Sequence, residues 1–195
     1  MRTLTLIAAC LLAVASAQAE PVVERFTVLI GGNAVGHLNA TVDGQRVAID
    51  YDVKNNGRGP TIAEQLQVDA RGLPEQWSVT GTTTFGSKVD ERFALDGNAA
   101  RWTDSVGDGS ATAKEPSLYV GQSASPWSLG VYARALLADN DRALPAWPAG
   151  VVRIDAGTPM EVGDGKARVR VMRHAITGLD LDPDYLLLDE RKQLF

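Results

Sequence analysis

The chain has 195 residues, with 19 Lys or Arg against 24 Asp or Glu, a formal net charge of −5 and one cysteine, Cys10. Its basic residues are scattered rather than striped with aromatics, which argues against a nucleic-acid surface. A lone cysteine excludes an internal disulfide, and no apolar stretch after the N-terminal leader reaches membrane-spanning length.

The leader comes first. Arg2 supplies a positive start, Leu4 to Val14 is an apolar run, and Ala17-Gln18-Ala19 is a small-x-small cleavage site. This pattern predicts a secretory signal peptide over 1–19 and a single β-rich domain over 20–195. Ile7-Ala8-Ala9-Cys10 loosely resembles a lipoprotein box, but the apolar segment before Cys10 is short, so Cys10 reads as part of the leader. Removing the leader takes away Arg2 and Cys10, leaving 18 basic and 24 acidic residues. The mature chain then has neither a thiol nucleophile nor a thiolate metal ligand, and it is expected in the periplasm or outside a bacterial cell.

Beyond Glu20 the dominant signal is alternation with period two, broken by Gly and Asp-Gly turns. Phe26, Val28 and Ile30 alternate up to Gly31-Gly32, and Val47, Ile49, Tyr51 and Val53 alternate with polar residues after Asp43-Gly44. Ile62, Leu66 and Val68 mark the next strand. Trp77, Val79 and Gly81 mark another, running on into Thr82-Thr83-Thr84. Val89, Phe93 and Leu95 lead through Asp96-Gly97 to Arg101-Trp102-Thr103. The pattern loosens at Gly107-Asp108-Gly109-Ser110. One helix is predicted over about 126–139, with Ser125 as its cap, Pro126 in its first position and an apolar stripe of Leu129, Tyr132, Leu136 and Leu137. Pro145 and Pro148 end any continuation. Strands return at Val151 to Ile154, Met160 to Val162, Ala167 to Ile176 and Tyr185 to Leu188. The expectation is a mainly β fold: a curved antiparallel meander of roughly 9–11 strands with one helix packed on it. Asp189 to Lys192 reads as a turn and Gln193-Leu194-Phe195 as the first residues of a returning strand, so the chain is expected to be the front of a longer polypeptide.

Few constellations carry chemistry. Only two histidines exist, His37 and His174, without H-x-H or H-E-x-x-H spacing, so both read as strand residues and no metal or cofactor is expected in this chain. Gly31 to Gly36 precedes a strand rather than a helix, so it reads as a hairpin and not as a phosphate loop. Gly121 to Ser125 lacks the second glycine of a nucleophile elbow. Asp180, Asp182 and Asp184 imitate the first ligands of a calcium loop, but Tyr185 and Arg191 stand where Gly and Glu are needed. Asp50, Asp52, Glu64 and Asp69 are the carboxylates from which an acid–base pair could be assembled, although Asp50 and Asp52 suit a solvent face. Trp77, Trp102, Trp127 and Tyr132 are the candidate ligand-binding residues: a helix laid in a curved sheet would bring some of the aromatics into one apolar cavity, unless they fill the core.

One family resemblance rests on turn-and-strand motifs. Phe26 to Leu38 (FTVLIGGNAVGHL), Tyr51 to Pro60, Gly81 to Gly86 and Val89-Asp90-Glu91 resemble the β-rich N-terminal region of secreted bacterial amidohydrolase-family proteins, over nearly all of 20–195. The resemblance implies a non-catalytic accessory domain whose partner is a downstream metal-dependent barrel. The metal would belong to that barrel, because the family's H-x-H and later Lys, His and Asp ligands match no position here. The architecture is also similar to periplasmic lipoprotein-carrier folds, which implies the alternative of a stand-alone module binding an apolar small molecule. A complete small hydrolase is a third reading, without a visible nucleophile–base pair to support it.

Overall fold

Strands with one apolar and one polar face, joined by short connections, pair readily with their chain neighbours, and the first half of the chain does so. The computed structural model describes residues 20–165 and 167–195; the leader over 1–19, including Cys10, lies outside the described residues. β1 (Val22–Ile30), β2 (Asn33–Asp43), β3 (Arg46–Val53), β4 (Thr61–Val68), β5 (Pro74–Thr82), β6 (Lys88–Asp96), β7 (Ala99–Thr103) and β8 (Asp108–Thr112) form one curved antiparallel meander in chain order. A second sheet takes up β9 (Leu118–Tyr119), β10 (Ala143–Trp147), β11 (Val151–Ile154), β12 (Thr158–Val162), β13 (Val169–Thr177) and β14 (Asp184–Leu188), in the order β12-β13-β11-β10-β9 with β14 on β13. The helix α1 (Ser128–Ala138) lies between β9 and β10 in the chain.

The mainly β class, the meander and the single helix stand as the sequence implies. The strand count does not: the described residues hold fourteen strands in two sheets, not nine to eleven in one. The additional ones are short. β8 carries Gly109, whose bare Cα sits against the Trp102 ring, and β10 carries Pro145 inside a strand that pairs in parallel with the two-residue β9. Neither offers a clean alternation. The turn at 189–192 and the returning residues 193–195 are both formed: Lys192 N–H bonds to Asp189 O, and Phe195 N–H bonds to Leu187 O beside a Leu188–Leu194 bridge.

Both sheets and the helix share one core. Its inward rungs run across the meander in register: Leu38–Tyr51–Ile62–Gly81–Val89 on one, Val47–Leu66–Trp77–Phe93–Trp102 on another. α1 turns Val131, Tyr132, Ala135 and Leu136 into the same core. Gly81 marks a close approach of β5 to β4. It has φ +139°, and a Cβ there would lie 1.9 Å from Thr61 O, a backbone atom that cannot move alone. Gly97, in the turn between β6 and β7, has φ +60° and open space around it. Gly81→Ala is therefore expected to destabilise by about 2 kcal/mol or more, and Gly97→Asn by less than about 1 kcal/mol. Urea unfolding of the two variants beside the parent checks the contrast.

Candidate functional site

A rung between the two apolar ones departs from the rule that inward positions are apolar. It reads Glu24–Ala40–Ile49–Glu64–Val79–Glu91, across β1 to β6. Glu64 and Glu91 are only 1% and 2% exposed. Each carboxylate receives donors from the segment that crosses the inner face between β8 and α1. Glu91 accepts from the Tyr119 hydroxyl (2.6 Å) and from the N–H groups of Gln122 (2.9 Å) and Ser123 (3.0 Å). Glu64 accepts from Ser125 N–H (2.7 Å) and the Trp77 indole (2.8 Å). Glu24 accepts from the Trp127 indole (2.7 Å). Burial pushes the Glu64 carboxyl above its usual 4.5; the Ser125 and Trp77 donors oppose this and the Glu91 charge reinforces it. Burial likewise pushes the Tyr119 and Tyr132 phenols up, so both remain neutral, Tyr119 donating to Glu91 and Tyr132 accepting from Gly121 N–H.

This rung corrects two sequence expectations. Ser125 does not cap α1. Its N–H is spent on Glu64, its Oγ is buried without a partner, and the helix begins at Ser128 with no side-chain cap, after a tight turn bonded from Ser128, Leu129 and Gly130 to Ser125, Pro126 and Trp127. The four suggested acid–base carboxylates do not meet. Asp50 pairs with His37 (2.7 Å) on the solvent face, and Asp52 is held below the usual carboxylate range by bonds from Thr61 and Lys54. Asp69 closes the turn after β4, accepting from Arg71 and Leu73. Glu91, not among those four, was legible by parity: Val89, Glu91 and Phe93 share the inward face just as Ile62, Glu64 and Leu66 do.

The aromatic candidates divide in the same way. Trp77 and Tyr132 lie 6.1 Å apart within a solid cluster that includes Tyr119, Phe93 and Trp147. They fill the core and line no shared cavity with Trp127. Trp102 sits over Gly109 at the far edge of the meander. Trp127 lines one ligand-sized space, Trp77 and Trp102 border another, and no single cavity holds the four.

That space is a cleft of about 440 Å³ between the first three strands, the start of α1 and the C-terminal hairpin. Phe26, Val28 and Tyr51 form one wall, Trp127 and Leu129 the floor, and Leu186, Leu194 and Phe195 the other wall. Its polar groups are few. Arg173 stands at the cleft with its guanidinium 5.5 Å from the Tyr185 ring centre. Beneath the floor, Arg134 stacks 5.2 Å from the Trp127 ring centre, and its Nη1 is buried without a hydrogen-bond partner. His174 is buried against Asp155 (3.2 Å), and no group of three or more His, Cys, Asp or Glu fit for a metal occurs among the described residues.

A family model described as Defensin propeptide matches residues 1–27. The match is confined to the leader and the first residues of β1. It points, as the leader does, to export, and it does not bear on the domain that follows. No curated protein and no solved structure matches the chain. Among the described residues, no helix is long and apolar enough to cross a membrane.

Two measurements check the glutamate rung. Glu91→Ala leaves the buried Tyr119 hydroxyl and two part-buried N–H groups without their acceptor and is expected to cost about 2 kcal/mol or more in urea unfolding. Glu64 binds its proton more tightly folded than unfolded. Its contribution therefore falls as pH rises from the ordinary Glu value through the raised folded value, and returns on acidification over that window. Glu64→Gln should flatten this part of the stability–pH curve while Glu91 remains in place.

Proposed function

We propose that the protein is an exported binding module that holds an apolar, chain-like small molecule in the cleft beside α1, in the periplasm or outside a bacterial cell. The observation that carries the reading is the cleft itself: about 440 Å³, open, with walls that are almost wholly apolar. Pockets of this size and lining suit a ligand recognised by burial of hydrocarbon, with a few polar groups to orient it. Among the described residues Arg173 is the one cation on the lining, and it offers its charge to an anionic head group while the chain runs towards Leu129 and Trp127. An acyl chain with an acidic head is the ligand class that uses both features.

A second reading draws on the exposed apolar side chains around the cleft. β1 ends on Leu29 and Ile30, both exposed, and Tyr185 and Phe195 are exposed at the cleft's other wall. An accessory domain of an amidohydrolase-like hydrolase, its metal and active site in a following barrel, would pack through such a surface. An H-x-H motif after a strand in the downstream reading frame is the sign to look for.

Displacement of 1-anilinonaphthalene-8-sulfonate from the purified protein tests the first reading. In the series octanoate, decanoate, dodecanoate, affinity should rise roughly tenfold per added pair of methylenes, until the cleft is full. Leu129→Glu places a carboxylate on the floor and should weaken binding roughly tenfold or more without loss of the folded state. Absence of saturable displacement by any of the three acids would sink the reading.

A further inference from the structure

A second cavity lies on the opposite face of the meander, a basin of about 510 Å³ over β3 to β7. Its origin is visible in two outward rungs. One reads Arg46–Gln67–Gln76–Ala94–Arg101; the next reads Ala48–Gln65–Ser78–Arg92–Thr103. Short side chains, Ser78 and Ala94, occupy the middle, and long ones surround them. The basin is thus built by side-chain length on a regular sheet. Its rim carries three arginines, and Arg46 and Arg101 stand roughly 19 Å apart along the sheet, by strand spacing. Arg92 pairs with Asp90 (3.3 Å), but neither Arg46 nor Arg101 makes an ion pair among the described residues. Asp43 stands opposite Arg46 in the β2–β3 hairpin without bonding to it, and Glu75 is engaged with the Gln67 amide (3.3 Å).

We propose that this basin is a binding site for an acidic oligosaccharide. Arginine forks are suited to carboxylate or sulfate groups, and their spacing asks for a ligand that carries such groups at intervals rather than for one compact anion. Between the arginines, Gln65, Gln67 and Gln76 present amides and Ser78 and Thr103 present hydroxyls. Each is both donor and acceptor, as a sugar hydroxyl requires and a bare phosphate does not. Trp77 and Trp102 also border the basin, but Trp77 is buried, so the charged groups must supply most of the affinity and the preference for an acidic over a neutral sugar. The chain as a whole carries −5, so a polyanion is attracted by this local arrangement and not by the protein's overall field.

Titration calorimetry of the purified protein with tetragalacturonate, with a sulfated heparin tetrasaccharide and with maltotetraose tests the site. The expected result is saturable binding of at least one acidic tetrasaccharide, weakening with added salt, and none of maltotetraose. Tetragalacturonate and the heparin fragment distinguish carboxylate from sulfate as the group recognised. Arg46→Gln and Arg101→Gln, both at exposed positions without side-chain bonds, should each weaken binding about tenfold. Ala94→Glu, which fills the floor with a like charge, should abolish it. No saturable binding of either acid, unchanged binding in both arginine variants, or equal binding of maltotetraose or a single-stranded DNA oligonucleotide would overturn the proposal. Fatty-acid binding in the cleft is untouched by these substitutions, so the two sites fail or stand separately.

Discussion

Three glutamates on one inward rung determine how the two halves of this molecule meet. A segment that crosses the inner face of a sheet carries backbone N–H groups that the sheet cannot satisfy, because its own ladder is already complete. Glu64 and Glu91 supply the missing acceptors to Gln122, Ser123 and Ser125, and Glu24 supplies one to Trp127. An amide in their place would offer one acceptor oxygen where the carboxylate offers two, and Glu91 uses both of its oxygens. The burial is costly, as the upward shift at Glu64 records, and among the described residues no cation pairs with Glu64 or Glu91. Neutral donors do: two backbone N–H groups and a phenol at Glu91, one N–H and an indole at Glu64.

The position of the cleft follows from the same rung. Glu24 lies on the first strand and Trp127 at the threshold of the helix, so their bond holds the start of α1 close to β1. The cleft opens beside that bond, where the meander's first strand faces the β14 hairpin. Trp127 is shared by both roles: its nitrogen is committed to Glu24, and its ring forms floor for the cleft and a stacking surface for Arg134. Firm anchoring of one edge leaves an aromatic face whose orientation is set by the fold itself.

Much of the meander could be read from the residues because each strand is half-buried and each turn is short. Val47 to Val53 and Val89 to Leu95 declare their faces by alternation alone, and Asp43-Gly44 and Asp96-Gly97 declare the reversals. The helix was visible in its apolar stripe, but its start was not, because the group that engages Ser125 sits 61 residues earlier in the chain. β8, β9 and β10 escaped notice for a local reason: two-residue pairing, Gly109 and Pro145 leave no period to detect. The aromatics showed only that large apolar surface had to be buried. Whether Trp77, Trp102 and Trp127 share a cavity depends on how far the sheet curls, which no window of sequence contains. The inward parity of Glu64 and Glu91 is written in the alternation itself: a carboxylate stands where the pattern demands an apolar residue.

Buried carboxylates beside tyrosines suggest acid–base chemistry, and the reason to look elsewhere for function here is saturation. A catalytic acid or base must reach the substrate proton it transfers. Each oxygen of Glu64 and Glu91 already accepts a bond from within the fold, and neither residue lines the cleft or the outer basin. What the fold leaves unsatisfied lies in other places: apolar walls around Leu129 and Phe26 that meet solvent, and arginines at 46 and 101 without anions. In a domain whose most reactive-looking side chains are consumed by holding a loop to a sheet, the unsatisfied surfaces, apolar on one face and cationic on the other, are where a ligand has free energy to gain.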